Sequence, residues 1–288
     1  MVLATGPKTT LQRGDQVCTH LLEHKPSHEP VIFPEILTGL GHGTDGTIRK
    51  CGVFHESALV RMPQGLSFVQ ASTLPCAGLT AWNALYGLRR AAAATTTTTT
   101  TTTGGAGAGS EEFVLVQGTG GVSILAMQFA MAAGATVIAT TSTADKMQKL
   151  RSLGAHHVIN YREDANWGET AKGLTPGARG VDVVVDVAGS ATLEQSLKAV
   201  RPDGLISITG VLGAGDPPSI LSCLAQGCVA RGVLLGTKAQ YEEMNAFVEE
   251  KGVKPLVDER VFGFHEVREA YKYLMGQKHF SSVCIQIH

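Results

Sequence analysis

Charge is scarce in this 288-residue chain, at 17% of residues, and it cancels: 24 basic against 25 acidic side chains leave a net charge of -1. No field draws such a chain towards polyanions, so no nucleic-acid partner is expected, and no anionic membrane surface either. Long hydrophobic runs are missing too. None approaches the ~18 residues needed to span a bilayer, and Met1–Lys8 has no basic segment leading into an apolar core. The expected location is cytoplasmic. The six cysteines, Cys18, Cys51, Cys76, Cys223, Cys228 and Cys284, follow no disulfide-framework rhythm and include no Cys-x-x-Cys pair. Cys223 and Cys228 suit small buried hydrophobes better than zinc ligands without partners. What the chain does have is apolar content, 43% of residues, enough for one large or two modest ordinary cores.

One stretch has nothing to bury. Residues 91–110 run through four alanines, nine threonines and a Gly/Ala/Ser tail with no apolar periodicity, which predicts a disordered low-complexity insertion in a surface loop. Directly after it, short apolar runs alternate with helical spacing. Strands are predicted at 113–117, 136–140, 157–160, 181–187 and 205–209, and helices at 123–133, 146–153 and 193–200. Near-continuous apolar strands between helices indicate a parallel sheet covered on both faces, a doubly wound α/β domain expected to span 78–239. The flanks, 1–77 and 240–288, are richer in Gly, Pro and short strand-like pieces and read as one smaller lobe built from both chain ends.

Between the first strand and its helix stands Gly118-Thr119-Gly120-Gly121-Val122-Ser123. Strand, Gly-x-Gly-x-x-small, helix is the context in which such a turn grips a dinucleotide. Gly118 permits the tight turn, Gly120 lets the backbone approach a pyrophosphate, and the third position must be small for helix and strand to pack. Ser123 replaces the usual third glycine, and its hydroxyl is expected to point towards the phosphates at the helix N-terminus. At the end of the next strand an acidic residue would hydrogen-bond the ribose 2′-hydroxyl of NAD. Here the chain reads Thr140-Thr141-Ser142-Thr143-Ala144-Asp145-Lys146. No carboxylate stands at the strand tip; Thr141 and Ser142 offer hydroxyls and Lys146 a positive charge, which favours NADPH over NADH.

Several blocks in order, Gly14-Asp15-Gln16-Val17, the run from Leu74 to Trp82, the run from Val114 to Ser123, the run from Gly154 to Tyr161 and His279-Phe280, together resemble the medium-chain dehydrogenase/reductase superfamily, in particular its zinc-type alcohol dehydrogenase-like and quinone oxidoreductase-like members. The resemblance implies a Rossmann domain inserted into a GroES-like lobe. It implies that Thr80 approaches the nicotinamide, that Tyr161 joins Thr141, Ser142 and Lys146 on the adenosine side, and that Val187, Ala188, Gly210, Val211 and Leu212 line the ribose and nicotinamide. It also implies a homodimer through an edge strand at Arg231–Gly236. Set against the family pattern, the chain begins late in the GroES-like part, so that lobe is expected to be partial. Cys76 sits where zinc-dependent relatives have a ligand, but one thiolate cannot hold a catalytic zinc, so no metal is expected. Ser281-Ser282 stands where relatives often have Gly-Lys.

His20-Leu21-Leu22-Glu23-His24 matches a zinc-protease pattern in which two imidazoles share one helix face, but Pro26 leaves no room for that helix to continue. His55, Cys51 and the His156-His157 pair read as solvated or transitional positions. Asp182 and Asp186, on one buried strand, are expected to hydrogen-bond locally. The expected activity is zinc-independent hydride transfer from NADPH to a carbonyl or an activated double bond of a small molecule such as a quinone, enone or aldehyde. No residue stands out as catalytic. The alternative reading is a dinucleotide-binding protein with little turnover because its substrate lobe is incomplete.

Overall fold

The computed structural model describes residues 1–95, 112–211 and 213–288. Its strands among these are β1 (Val17–Thr19), β2 (Leu59–Arg61), β3 (Phe113–Gln117), β4 (Thr136–Thr141), β5 (His157–Asn160), β6 (Val181–Asp186), β7 (Val200–Ile208), β8 (Val229–Gly232), β9 (Val257–Gly263) and β10 (Ser282–Gln286). The chain divides into two compact units, 80–233, and 1–79 with 234–288. The division at 233/234 leaves the helix Lys238–Glu250 whole, whereas the expected 239 lies inside it.

In the unit 80–233, β-branched runs make a six-stranded, wholly parallel sheet in the order β5-β4-β3-β6-β7-β8. Leu115 stands opposite Ile138 on one side and Val184 on the other. That row anchors a core with Trp167, Leu197, Val200 and Ile206. The alternate row, Val114, Val137 and Val183, is equally buried, as a sheet covered on both faces requires. Helices Gly121–Ala132, Ala144–Ser152, Trp167–Gly173 and Leu193–Ala199 form the crossovers. On the helix Leu79–Thr95, Trp82 packs edge-on against Phe129 at 5.9 Å. Ser207 Oγ and the Arg231 guanidinium bond the carbonyls of Ala84 and Asn83, which ties this helix to the sheet.

Three expectations are corrected. The helix Leu79–Thr95 carries its backbone through the four alanines that the expected insertion included; the rest of that insertion, 96–110, lies outside the described residues, as does Leu212. Strand β7 begins at Val200 rather than 205, because a register shift absorbs Pro202-Asp203-Gly204, with Asp203 at φ 56. The edge strand is Val229–Gly232, shifted from the expected 231–236; Val233 and Leu235 are buried and Leu235 has φ 51.

In the other unit, β1 pairs antiparallel with β2, and β9 pairs parallel with β10. The helix Lys238–Glu250 starts on a capping box of Thr237 and Gln240 and buries Tyr241, Met244 and Val248 at helical spacing. Asn245 Nδ2 bonds the Arg61 carbonyl, pinning the helix to β2. His20 and His24 share no helix. His20 is buried and bridges Leu22 and Gly236 backbone atoms, while His24, at φ 60, stacks on His55. Among the described residues no helix is long and apolar enough to cross a membrane.

Candidate cofactor site

The site begins where β3 stops. Gly118 turns at φ 75, a conformation costly for any residue with a Cβ, and its N–H bonds the Thr140 carbonyl at the end of β4. Gly120 then caps the helix Gly121–Ala132 with φ -79 and ψ 175, and no side chain caps that end. The N–H groups of the first helical turn lack intrahelical acceptors and carry the positive end of the helix dipole. A Cβ placed on Gly118 or Gly120 would meet nothing within 4 Å. For Gly120 this is decisive: its backbone is ordinary and its surroundings are open, so nothing inside the unit requires glycine there. Space kept clear beside unpaired helix N–H groups fits the pyrophosphate of a dinucleotide.

Ser123 behaves otherwise than expected. Its side chain is buried and its Oγ donates to the Gln117 carbonyl at 2.6 Å. The hydroxyl ties the helix back to β3 and does not point towards the phosphate position. The small size at this position still permits the close helix–strand packing.

Beneath the turn lies a polar network whose members sequence reasoning had not joined. Gln117 Nε2 donates to Asp186 Oδ2 at 3.1 Å and to Ser196 Oγ at 2.8 Å. Ser196 donates to the same carboxylate oxygen at 2.6 Å, and Asp186 Oδ1 accepts from Thr192 Oγ1 and from the N–H groups of Ala188 and Gly189. Asp186 is fully buried, and the donors named here are all neutral. At the other end of β6, Asp182 takes Arg201 at 2.6 Å and Arg179 at 3.0 Å. Neither aspartate is posed as an acid–base pair with the other. The one signal in the sequence was a polar residue closing each of two apolar strands, Gln117 and Asp186.

The remaining candidates stand at the C-terminal ends of neighbouring parallel strands. Tyr161 follows β5, exposed, and its N–H bonds the Thr141 carbonyl. Thr141 ends β4 buried, Ser142 is half-buried, and Thr143 caps the next helix by accepting the Lys146 N–H, which sets Lys146 in the first helical turn. Thr143 had not been singled out. Val187 and Ala188 follow β6; Gly210 and Val211 lie just beyond β7. A Cβ on Gly210 would come within 2.4 Å of the Val187 carbonyl oxygen, and Gly213 N–H bonds the Ala188 carbonyl. Val211 is exposed, and Thr80 is buried near the start of its helix. Thus the ends of β5, β4, β3, β6 and β7, in that spatial order, carry the candidate positions, and β3 is flanked by strands whose connections leave in opposite directions. That crevice is where open α/β sheets take ligands.

Fold and turn define a dinucleotide-binding α/β protein. A family model described as zinc-binding dehydrogenase matches residues 121–250. A zinc-type alcohol dehydrogenase-like protein of Schizosaccharomyces pombe is 36% identical over 281 residues, covering 96% of this chain and 76% of that one. A 2-haloacrylate reductase of a Burkholderia species is 33% identical, covering 60% of this chain and 55% of its own length. A solved alcohol dehydrogenase candidate from Sinorhizobium meliloti 1021 superposes with a TM-score of 0.83 at 34% identity, covering 99% of this chain and 79% of that one. The chain belongs to the zinc-binding dehydrogenases of the medium-chain dehydrogenase/reductase superfamily, a family of oxidoreductases.

The family's description raises the question of zinc. Among the described residues no three His, Cys, Asp or Glu side chains group so as to hold a metal ion, and Cys76 lies exposed on the π-helical segment Leu74–Gly78. One thiolate does not supply the three protein ligands that a catalytic zinc needs.

Proposed function

We propose that this chain binds NADPH at the C-terminal edge of its parallel sheet and serves its transfer of hydride to a carbonyl or an activated double bond. The observation that carries the reading is Gly120, a glycine in ordinary backbone with open space where a side chain would stand, at an uncapped helix N-terminus. The first-turn N–H groups receive the pyrophosphate. Thr141, Ser142 and Lys146 receive the 2′-phosphate, for which Lys146 supplies the charge. Thr80, Val187, Ala188, Gly210 and Val211 line the nicotinamide end. The bound dinucleotide supplies the hydride; the protein's part is to bind it, orient it and keep the β6 and β7 ends rigid through Asp186. The Burkholderia relative is named for reducing a haloacrylate, an activated double bond, which supports enones and quinones as the substrate class beside aldehydes.

The test is consumption of NADPH with a panel of quinones, enones and aldehydes, run beside a binding titration. Turnover with at least one of them is expected; binding without turnover would reduce the protein to a dinucleotide binder. We further propose that copies pair through β8, whose Val229 is 45% exposed at the sheet edge. Light scattering is expected to give the mass of a dimer, and a monomer would overturn the pairing.

A further inference from the structure

The short helix Ser222–Gln226 ends in a way that brings two thiols together. Gly227 takes the left-handed conformation, φ 62 and ψ 33. The Cys228 N–H bonds the Cys223 carbonyl at 3.1 Å, and the Gly227 N–H bonds the Leu224 carbonyl at 3.3 Å. This pair of bonds is the Schellman ending of a helix, whose geometry places the side chain two residues past the helix against the one four positions before the glycine. Those two positions usually make an apolar contact. Here both are cysteine, both half-buried against the core that contains Trp167 and Leu197.

We propose that Cys223 and Cys228 form a dithiol site that low-molecular-weight disulfides oxidise to an intramolecular disulfide, cross-linking the helix Ser222–Gln226 to the residue that enters β8. The thiolate of one cysteine attacks the small disulfide, forms a mixed disulfide and releases one small thiol. The second cysteine attacks the protein sulfur of that bond and releases the other. Two protein S–H bonds are lost, one S–S bond forms, and the two protons leave on the two small thiols. Burial, and then the adjacent Cys223 sulfur, push the Cys228 thiol up to about 11. Its reactivity thus rests on being held beside its partner rather than on acidity. The other four cysteines are Cys18 and Cys284, both buried, and Cys51 and Cys76, both exposed.

The native protein is incubated with oxidised glutathione, the remaining thiols are alkylated, and tryptic peptides are weighed. Both cysteines fall in the single peptide 199–231, because Pro202 blocks cleavage after Arg201. That peptide is expected to become lighter by two hydrogens and to escape alkylation, about tenfold faster than any disulfide forms at Cys18 or Cys284. Dithiothreitol should restore it. In Cys228→Ser the same peptide should instead keep glutathione on Cys223. A wild-type peptide that stays fully alkylated, or that retains glutathione as the stable product, overturns the proposal, and this readout needs no variant to fold.

Discussion

At the end of β3, Gly118 and Gly120 face open space, whereas at the end of β7 Gly210 presses on the Val187 carbonyl and Gly213 on the Ala191 side chain, 2.3 Å from where its own Cβ would lie. Both groups are glycines just past apolar parallel strands, and in the sequence they look alike. The second group is glycine because the protein's own atoms, a backbone carbonyl at Gly210 and a side-chain methyl at Gly213, occupy the space. The first leaves its space empty, and at Gly120 not even the dihedral angles call for glycine. A glycine without an internal reason points to an external one, and beside an uncapped helix N-terminus that is an anion brought close to the backbone.

This contrast can be broken by substitution. Gly210→Ala should cost about 3 kcal/mol of stability in urea unfolding, since a backbone carbonyl at 2.4 Å cannot yield as a flexible side chain would. A loss below about 0.5 kcal/mol would erase the distinction between the two groups. Lys146→Ala should weaken NADPH about tenfold in a fluorescence titration and leave NADH unchanged, the signature of a lost charge-assisted contact to phosphate. Equal effects on both cofactors would remove Lys146 from the 2′-phosphate. Ser123→Ala should lower stability by about 1 kcal/mol through loss of the bond to the Gln117 carbonyl, with cofactor affinity unaltered. A large loss of affinity instead would restore the phosphate role that the buried hydroxyl argues against.

Much of the unit 80–233 was legible in the sequence because its central strands, β3, β4 and β6, are buried almost throughout and read as short, largely apolar runs. Phe113–Gln117 and His157–Asn160 form at the expected bounds. Trp167–Gly173 was not anticipated, since seven residues with three buried give too short a periodic signal. The helix Lys238–Glu250 did carry a signal, the Thr237/Gln240 box and the Tyr241, Met244, Val248 spacing, but the expected domain boundary cut through it. At the site, the glycine turn could be read from local chain geometry alone. The Gln117–Asp186–Ser196 network could not, because its members lie up to 79 residues apart and meet only when β3 and β6 pair. The inward turn of the Ser123 hydroxyl was hidden for a related reason: its acceptor is a backbone carbonyl, which no residue letter records.

The most direct test of the account is Gly120→Ala, assayed side by side for unfolding and for NADPH binding. Melting is expected within the small change of one helix-cap substitution, about 1 kcal/mol or less, because the added methyl meets no atom of the protein. NADPH affinity is expected to fall about a hundredfold, as the methyl enters the space reserved for the pyrophosphate. A variant that melts like the wild type and binds NADPH equally well would contradict the assignment of this turn as the cofactor cradle.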